Sequence, residues 1–119
     1  MIHLVIPGRP VPKGRPRFNP KTGRAYTPKA TRAYERKVRL AAMAHGTEPL
    51  PGSVCVDLVV FHPDRRHGDL DNYVKASLDA IQGVLFGDDK CVSEIHARRE
   101  YDKANPRVEV TVREMGSKQ

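Results

Sequence analysis

The sequence predicts an α+β fold, a small mixed four-stranded sheet with two helices on one face, in a single domain spanning residues 1–119. Three observations lead there. Two stretches repeat apolar residues at helical spacing, several shorter apolar runs have the length of strands, and proline–glycine clusters separate them. A chain of 119 residues suits one core that buries roughly two-thirds of the unfolded surface. Two helices laid on a four-stranded sheet is the simplest packing of these pieces.

The elements follow in order. Residues 2–6 read as a short first strand that ends at Pro7–Gly8. Residues 7–27 hold five prolines and three glycines and form an irregular basic arm. Within it Phe18 and Tyr26 flank Asn19–Gly23, a turn joining two short extended pieces; the aromatics either stack on bases or pin the arm to the core. Thr27 as N-cap and Pro28 at the first helical position open a helix over 28–45. Its apolar stripe is Tyr34, Val38, Ala41, Ala42 and His45, and Gly46 stops it. Residues 54–61 are a nearly continuous β-branched and aromatic run, the pattern of a strand covered on both faces. A second helix is expected over about 69–85, with Leu70, Val74, Leu78, Ile81 and Leu85 as its stripe and Gly87 beyond it. Residues 91–101 and 107–115 then form a hairpin around Asp102–Pro106, with Val108, Val110 and Val112 alternating against polar neighbours.

Composition narrows the function. The net charge is +7, but residues 1–50 hold eleven Lys/Arg against two Glu (+9), and residues 51–119 hold ten against twelve Asp/Glu (−2). A basic half joined to an acidic half suggests one surface that grips a polyanion and another with a different task. The first helix carries Lys29, Arg32, Arg36, Lys37 and Arg39 with only Glu35 opposite, so these charges repel rather than pair. Cys55 and Cys91 lack Cys-x-x-Cys spacing and read as reduced core thiols of a cytoplasmic protein. No apolar stretch approaches the ~20 residues of a membrane helix, and no signal peptide is recognisable. P-loop, nucleophile-elbow and zincin motifs are absent, which excludes those chemistries.

The chemistry-bearing segment is Gly68-Asp69-Leu70-Asp71-Asn72-Tyr73-Val74-Lys75, followed by Asp88–Asp89. Acids in a helix's first turn favour its positive end, which accounts for one or two of them without function. Convergence of Asp69, Asp71 and Asp89 would instead repel, and a hard divalent cation relieves such repulsion. Asp71, Lys75 and Asp79 fall at i, i+4 and i+8 on one polar strip, where a lysine can hold a phosphate or a developing alkoxide. His62 and His67 flank the acids as weaker candidates for a base. The residues therefore point to a metal-dependent nuclease.

His62-Pro63-Asp64-Arg65-Arg66, then Asp69-Leu70-Asp71-Asn72 with Lys75 and Asp79, then Asp88–Asp89, resembles the signature of the RusA family of Holliday-junction resolvases. The proline-rich basic stretch, Gly23-Arg24-Ala25-Tyr26-Thr27-Pro28, and the close through Glu114-Met115-Gly116 are similar to the family as well, so the likeness covers essentially the whole chain. One departure is His67–Gly68, where some relatives carry further arginines. The resemblance implies a homodimeric, Mg²⁺-dependent endonuclease, with Mn²⁺ as a substitute, that places paired symmetric nicks in a four-way DNA junction during recombination and repair. It implies Asp69, Asp71, Lys75 and Asp89 as catalytic residues. Asp69, Asp71 and Asp89 would be the metal ligands, with Asp88 as a further candidate. The expected DNA contacts are Lys13, Arg15, Arg17, Lys21, Arg24, Lys29, Arg32, Arg36, Arg65 and Arg66. The competing expectations are a non-catalytic branched-DNA-binding protein, a nuclease of forks or flaps, and a ribosome-associated basic protein.

Overall fold

The computed structural model describes residues 1–115. Its main sheet has the strand order β1-β6-β4-β5, built from β1 (Ile2–Pro7), β4 (Val54–His62), β5 (Val92–Tyr101) and β6 (Arg107–Glu114). A separate two-stranded ribbon joins β2 (Arg17–Asn19) to β3 (Arg24–Tyr26) in the arm, with Phe18 opposite Ala25. Helices α1 (Lys29–Ala44) and α2 (Leu70–Ile81) complete the α+β fold. No helix among the described residues is long and apolar enough to cross a membrane.

The core follows from strand alternation. Ile2, Leu4 and Ile6 of β1, Val56, Leu58 and Val60 of β4, and Val108, Val110 and Val112 of β6 all point to one face. There they join Tyr34, Val38 and Ala42 of α1 and Tyr73, Ala80 and Ile81 of α2 in one cluster. Truncating a side chain such as Leu58 to alanine would cost about 2–5 kcal/mol.

Four details differ from the sequence expectation. The last two strands are not a hairpin: β4 lies between them, parallel to β5 and antiparallel to β6. The apolar run of β4 earns it that central place, and the short turn 102–106 carries the chain across its end. Coverage of β4 is one-sided, because Asp57, Val59 and Phe61 on its second face stay partly exposed. Helix α2 stops at Ile81, where Gln82 turns extended (ψ 144°) and Gly83 takes φ +79°. Leu85 and Phe86 are fully buried all the same, so a turn rather than a helix satisfies the apolar periodicity. Finally, Pro28 occupies the N-cap of α1 with no side-chain cap, and Lys29 is its first helical residue.

The arm is held on the helices by polar contacts. Thr31, buried in α1, accepts from Gly14 N (2.9 Å) and donates to the Pro12 carbonyl (3.3 Å). A Cβ on Gly14 would lie 2.9 Å from the Pro28 ring, so this close approach requires glycine. Lys13 N donates to the Asn72 carbonyl at 2.8 Å, joining arm to α2.

Candidate metal and nucleic-acid site

The segment between β4 and α2 is braced from several sides. Asp64 accepts both Arg9 guanidinium nitrogens (3.1 and 3.3 Å) and Arg66 N (2.8 Å), and Arg9 hydrogen-bonds hold the Asp64 carboxyl down to a pKa of about 2. His62, only 2 % exposed, stacks on His67 at 4.3 Å and meets Tyr73 edge-on at 4.8 Å. Burial, helped by the neighbouring positive groups, lowers its pKa to about 4, so His62 is neutral and serves as packing. His67 Nε2 and the Tyr101 hydroxyl are 2.8 Å apart, and Arg65 lies 4.4 Å over the Tyr101 ring.

These braces converge on Gly68. Its N–H donates to the Tyr73 hydroxyl (3.0 Å), and its carbonyl accepts from Arg99 (2.7 Å). Both backbone groups of the residue before Asp69 are thereby fixed. Asp69 occupies the N-cap of α2 with extended backbone (ψ 143°), yet its side chain makes no cap hydrogen bond. Asp71 follows in the first turn, exposed, with Lys75 one turn later on the same face.

Among the described residues, the carboxylates of Asp69, Asp71 and Asp89 make no ion pair, although the chain holds 21 Lys/Arg. Asp88 accepts from Lys90 N at 2.8 Å and caps a 3-10 turn over Asp89–Cys91. Capping therefore accounts for Asp88 and the helix's positive end favours Asp71 in the first turn, but no side-chain hydrogen bond or ion pair among the described residues holds Asp69, Asp71 or Asp89.

One chain does not gather all the acids. Asp69 lies beyond the end of β4, whereas Asp89 precedes β5 on the side where β4 begins, since Val54 pairs with Val92. The twelve-residue α2 runs between them, roughly 18 Å of helix.

The predicted DNA contacts divide into three groups. Arg15, Arg17, Lys21 and Arg24 of the arm and Lys29, Arg32 and Arg36 of α1 are exposed, and among the described residues none meets a carboxylate. A cleft of about 310 Å³ between arm and α2 is lined by Lys13, Gly14, Arg15, Pro16, Asn72 and Lys75, which brings Arg15 beside the predicted catalytic lysine. Arg65 and Arg66 are exposed on the braced loop, Arg66 reaching Asp64 at 3.5 Å. Lys13 is engaged instead: its Nζ is 2.7 Å from Glu35 and 3.0 Å from Asp79. Burial opposes its charge, but the two carboxylates outweigh that and raise its pKa. Phe18 and Tyr26 are 65 % and 46 % exposed, so they do not pin the arm to the core.

Comparison with known proteins fits this geometry. The family described as Endodeoxyribonuclease RusA matches residues 7–113, nearly the whole described chain. The chain belongs to the RusA family. It is thus an endodeoxyribonuclease of the Holliday-junction-resolving kind, a hydrolase of DNA phosphodiester bonds. Crossover junction endodeoxyribonuclease RusA of Aquifex aeolicus is 27 % identical over 94 % of this chain and 90 % of its own length. An uncharacterized protein, YqaN of Bacillus subtilis, is 28 % identical over 98 % of each chain. The expected likeness of Glu114-Met115-Gly116 to the family falls beyond residue 113, where this match ends, and Gly116 lies outside the described residues.

Sequence reasoning passed over Tyr73, Arg99 and Tyr101 as supports of the loop before Asp69. Arg99 and Tyr101 stand about thirty residues further on, in β5, and reach the loop only through its parallel pairing with β4. No local pattern signals such a contact.

Proposed function

We propose that this RusA-family chain is a single domain that acts as a Mg²⁺-dependent homodimer in the cytoplasm, cutting four-way DNA junctions by paired symmetric nicks in recombination and repair. The observation that carries the reading is the pair of carboxylates without protein partners, Asp69 and Asp71, next to a basic cleft that contains Lys75, with a third such carboxylate, Asp89, beyond the other end of α2. Hard carboxylate oxygens suit Mg²⁺, which needs only one or two of them with waters and substrate phosphate. Asp69 and Asp71 would hold it on one chain. The chemistry a bound Mg²⁺ supplies is activation of a water and stabilisation of charge on the leaving 3′ oxygen. Mn²⁺, also suited to oxygen donors, would substitute.

The other roles belong to the chain itself. Lys75 stabilises negative charge on the scissile phosphate from the cleft wall. Arg15, Arg17, Lys21 and Arg24 with Lys29, Arg32 and Arg36 grip the backbone on either side, giving affinity that falls steeply with salt. The loop held by Arg9, Tyr73 and Arg99 keeps Asp69 in place without motion at the moment of reaction. Because α2 separates Asp69 and Asp71 from Asp89 within one chain, a site using all three needs a second copy. Two-fold symmetry then gives two such sites, as two symmetric nicks require.

The test is incubation with a synthetic four-way junction, linear duplex or a three-way fork, in Mg²⁺ or in EDTA. Paired nicks in the junction alone, and only with Mg²⁺, are expected. Equal cutting of forks would make this a branch nuclease of wider range, and tight junction binding without cutting in Mg²⁺ or Mn²⁺ would overturn the proposal.

A further inference from the structure

The face of the sheet opposite the helices carries its own cluster of donors. Cys55 on β4 and Glu94 and His96 on β5 place one sulfur, one carboxylate oxygen and one imidazole nitrogen within 4.8 Å of one another. His96 Nε2 and Glu94 Oε1 are already 3.0 Å apart. Among the described residues, this is the one group of three such side chains so close together. We propose that Cys55, Glu94 and His96 form a binding site for a borderline transition-metal ion of the zinc class, separate from the Asp69–Asp71 centre.

Three features support it. A tetrahedral zinc with bonds of about 2.0–2.3 Å sets its ligands roughly 3.5 Å apart, little less than the 4.8 Å within which the three atoms already lie. Thiolate and imidazole suit zinc-class ions and do not suit Mg²⁺. The backbone is also adapted: the β4–β5 register shifts between Val54 and Cys55, so Val54 pairs with Val92 but Cys55 pairs with Glu94. Irregularities of this kind re-aim side chains, and here the shift sets the thiol opposite Glu94, with His96 two residues further along β5 on the same face.

The charges close as well. A divalent ion displaces the thiol proton to solvent, and thiolate and carboxylate together balance its two charges. The nearest further groups on this face are Asp57 and Arg113, 3.6 Å apart, whose charges cancel. Glu94 and His96 are exposed, so water reaches the cluster from this side, and a depression of about 160 Å³ adjoins it at His96. Bound metal would tie β5 at Glu94, three residues beyond the Asp89–Cys91 turn, to the start of β4.

Cobalt titration of metal-stripped full-length protein tests this, because Co²⁺ occupies zinc-class sites and gives a near-ultraviolet thiolate absorption. The expected result is that band at one Co²⁺ per chain, displaced by Zn²⁺ and untouched by excess Mg²⁺. Cys91→Ser should keep the band, whereas Cys55→Ser should lose it and His96→Ala should weaken binding at least about 10-fold. Glu94 and His96 are exposed, so the doubly substituted Glu94→Gln/His96→Ala chain keeps the question answerable should Cys55→Ser fail to fold. No thiolate band in the unmodified chain, or an undiminished band in that folded double variant, would overturn the proposal.

Discussion

At the start of α2 the backbone beside Asp69 is fixed by Tyr73 and Arg99, while the loop behind it is clamped by Arg9 and Asp64 and packed on His62. Beyond the far end of the same helix Asp89 lies in a three-residue turn that rests on the core through Cys91 and whose one side-chain hydrogen bond among the described residues is from Lys90 N to Asp88. Both ends present a carboxylate without a protein partner, but only the first is placed by a network reaching across the sheet. A rigid centre at one end and a locally held acid at the other is a sensible division for a site assembled between two copies. Under the proposed function, the braced end would define where the reaction occurs and the other would be positioned by the copy that docks against it.

The largest expected effect is at the braced end. Asp71→Asn should lower junction cleavage by more than about 10³-fold with junction binding unchanged or tighter, since a negative charge facing phosphate is removed; lost binding in a folded variant would count against a purely catalytic role. Lys75→Met should cost about 10²–10³-fold in the rate of the cutting step at saturating junction. A loss confined to binding would move Lys75 from the reacting phosphate to the flanking backbone.

Arg99→Met sharpens the contrast between the ends. Releasing the Gly68 carbonyl should cost about 1–3 kcal/mol in denaturant unfolding and lower the cleavage rate by about 10-fold, because the residue before Asp69 loses its anchor. Asp88→Ala, which removes the side-chain hydrogen bond from Lys90 N at the other end, should cost only about 0.5–2 kcal/mol. Equal kinetic damage from both would erase the distinction between a braced and a locally held acid.

The smallest effect on cleavage is expected at His62, which shows instead in the pH dependence of stability. Because the pKa of His62 is lowered to about 4 in the folded chain against an ordinary 6.5, the unfolded chain takes up its proton first on acidification. Its contribution to stability is complete above about pH 6.5 and declines as pH falls towards 4. His62→Phe, if it packs, should flatten that part of the stability profile; an unchanged slope would mean the decline arises from other groups.

Periodicity made the helices and the strands legible, because apolar side chains that must meet one core recur at the spacing of the element that carries them. Pairing was less legible. The turn 102–106 looks like a hairpin, but it is short enough either to reverse the chain or to carry it past the end of β4, and only competition for the central position decides. The end of α2 was hidden because Leu85 and Phe86 are buried with or without helix. In the site, Asp69, Asp71, Lys75 and Asp89 stood out as residue types at telling spacings. Their placement at opposite ends of α2 did not, since it depends on the parallel β4–β5 pairing. Cys55 read as a core thiol, and it is buried, but a shift in strand register puts it against Glu94 and His96.

The proposed function requires Asp71 and Asp89 to act together across two copies of the chain. Asp71→Asn and Asp89→Asn proteins, each inactive alone, can be mixed, allowed to exchange subunits and supplied with a four-way junction and Mg²⁺. A site shared between copies leaves one site of every mixed dimer with all its acids, so nicking in a single strand should return. No activity in mixtures shown to contain mixed dimers would contradict the claim and place each site within one chain.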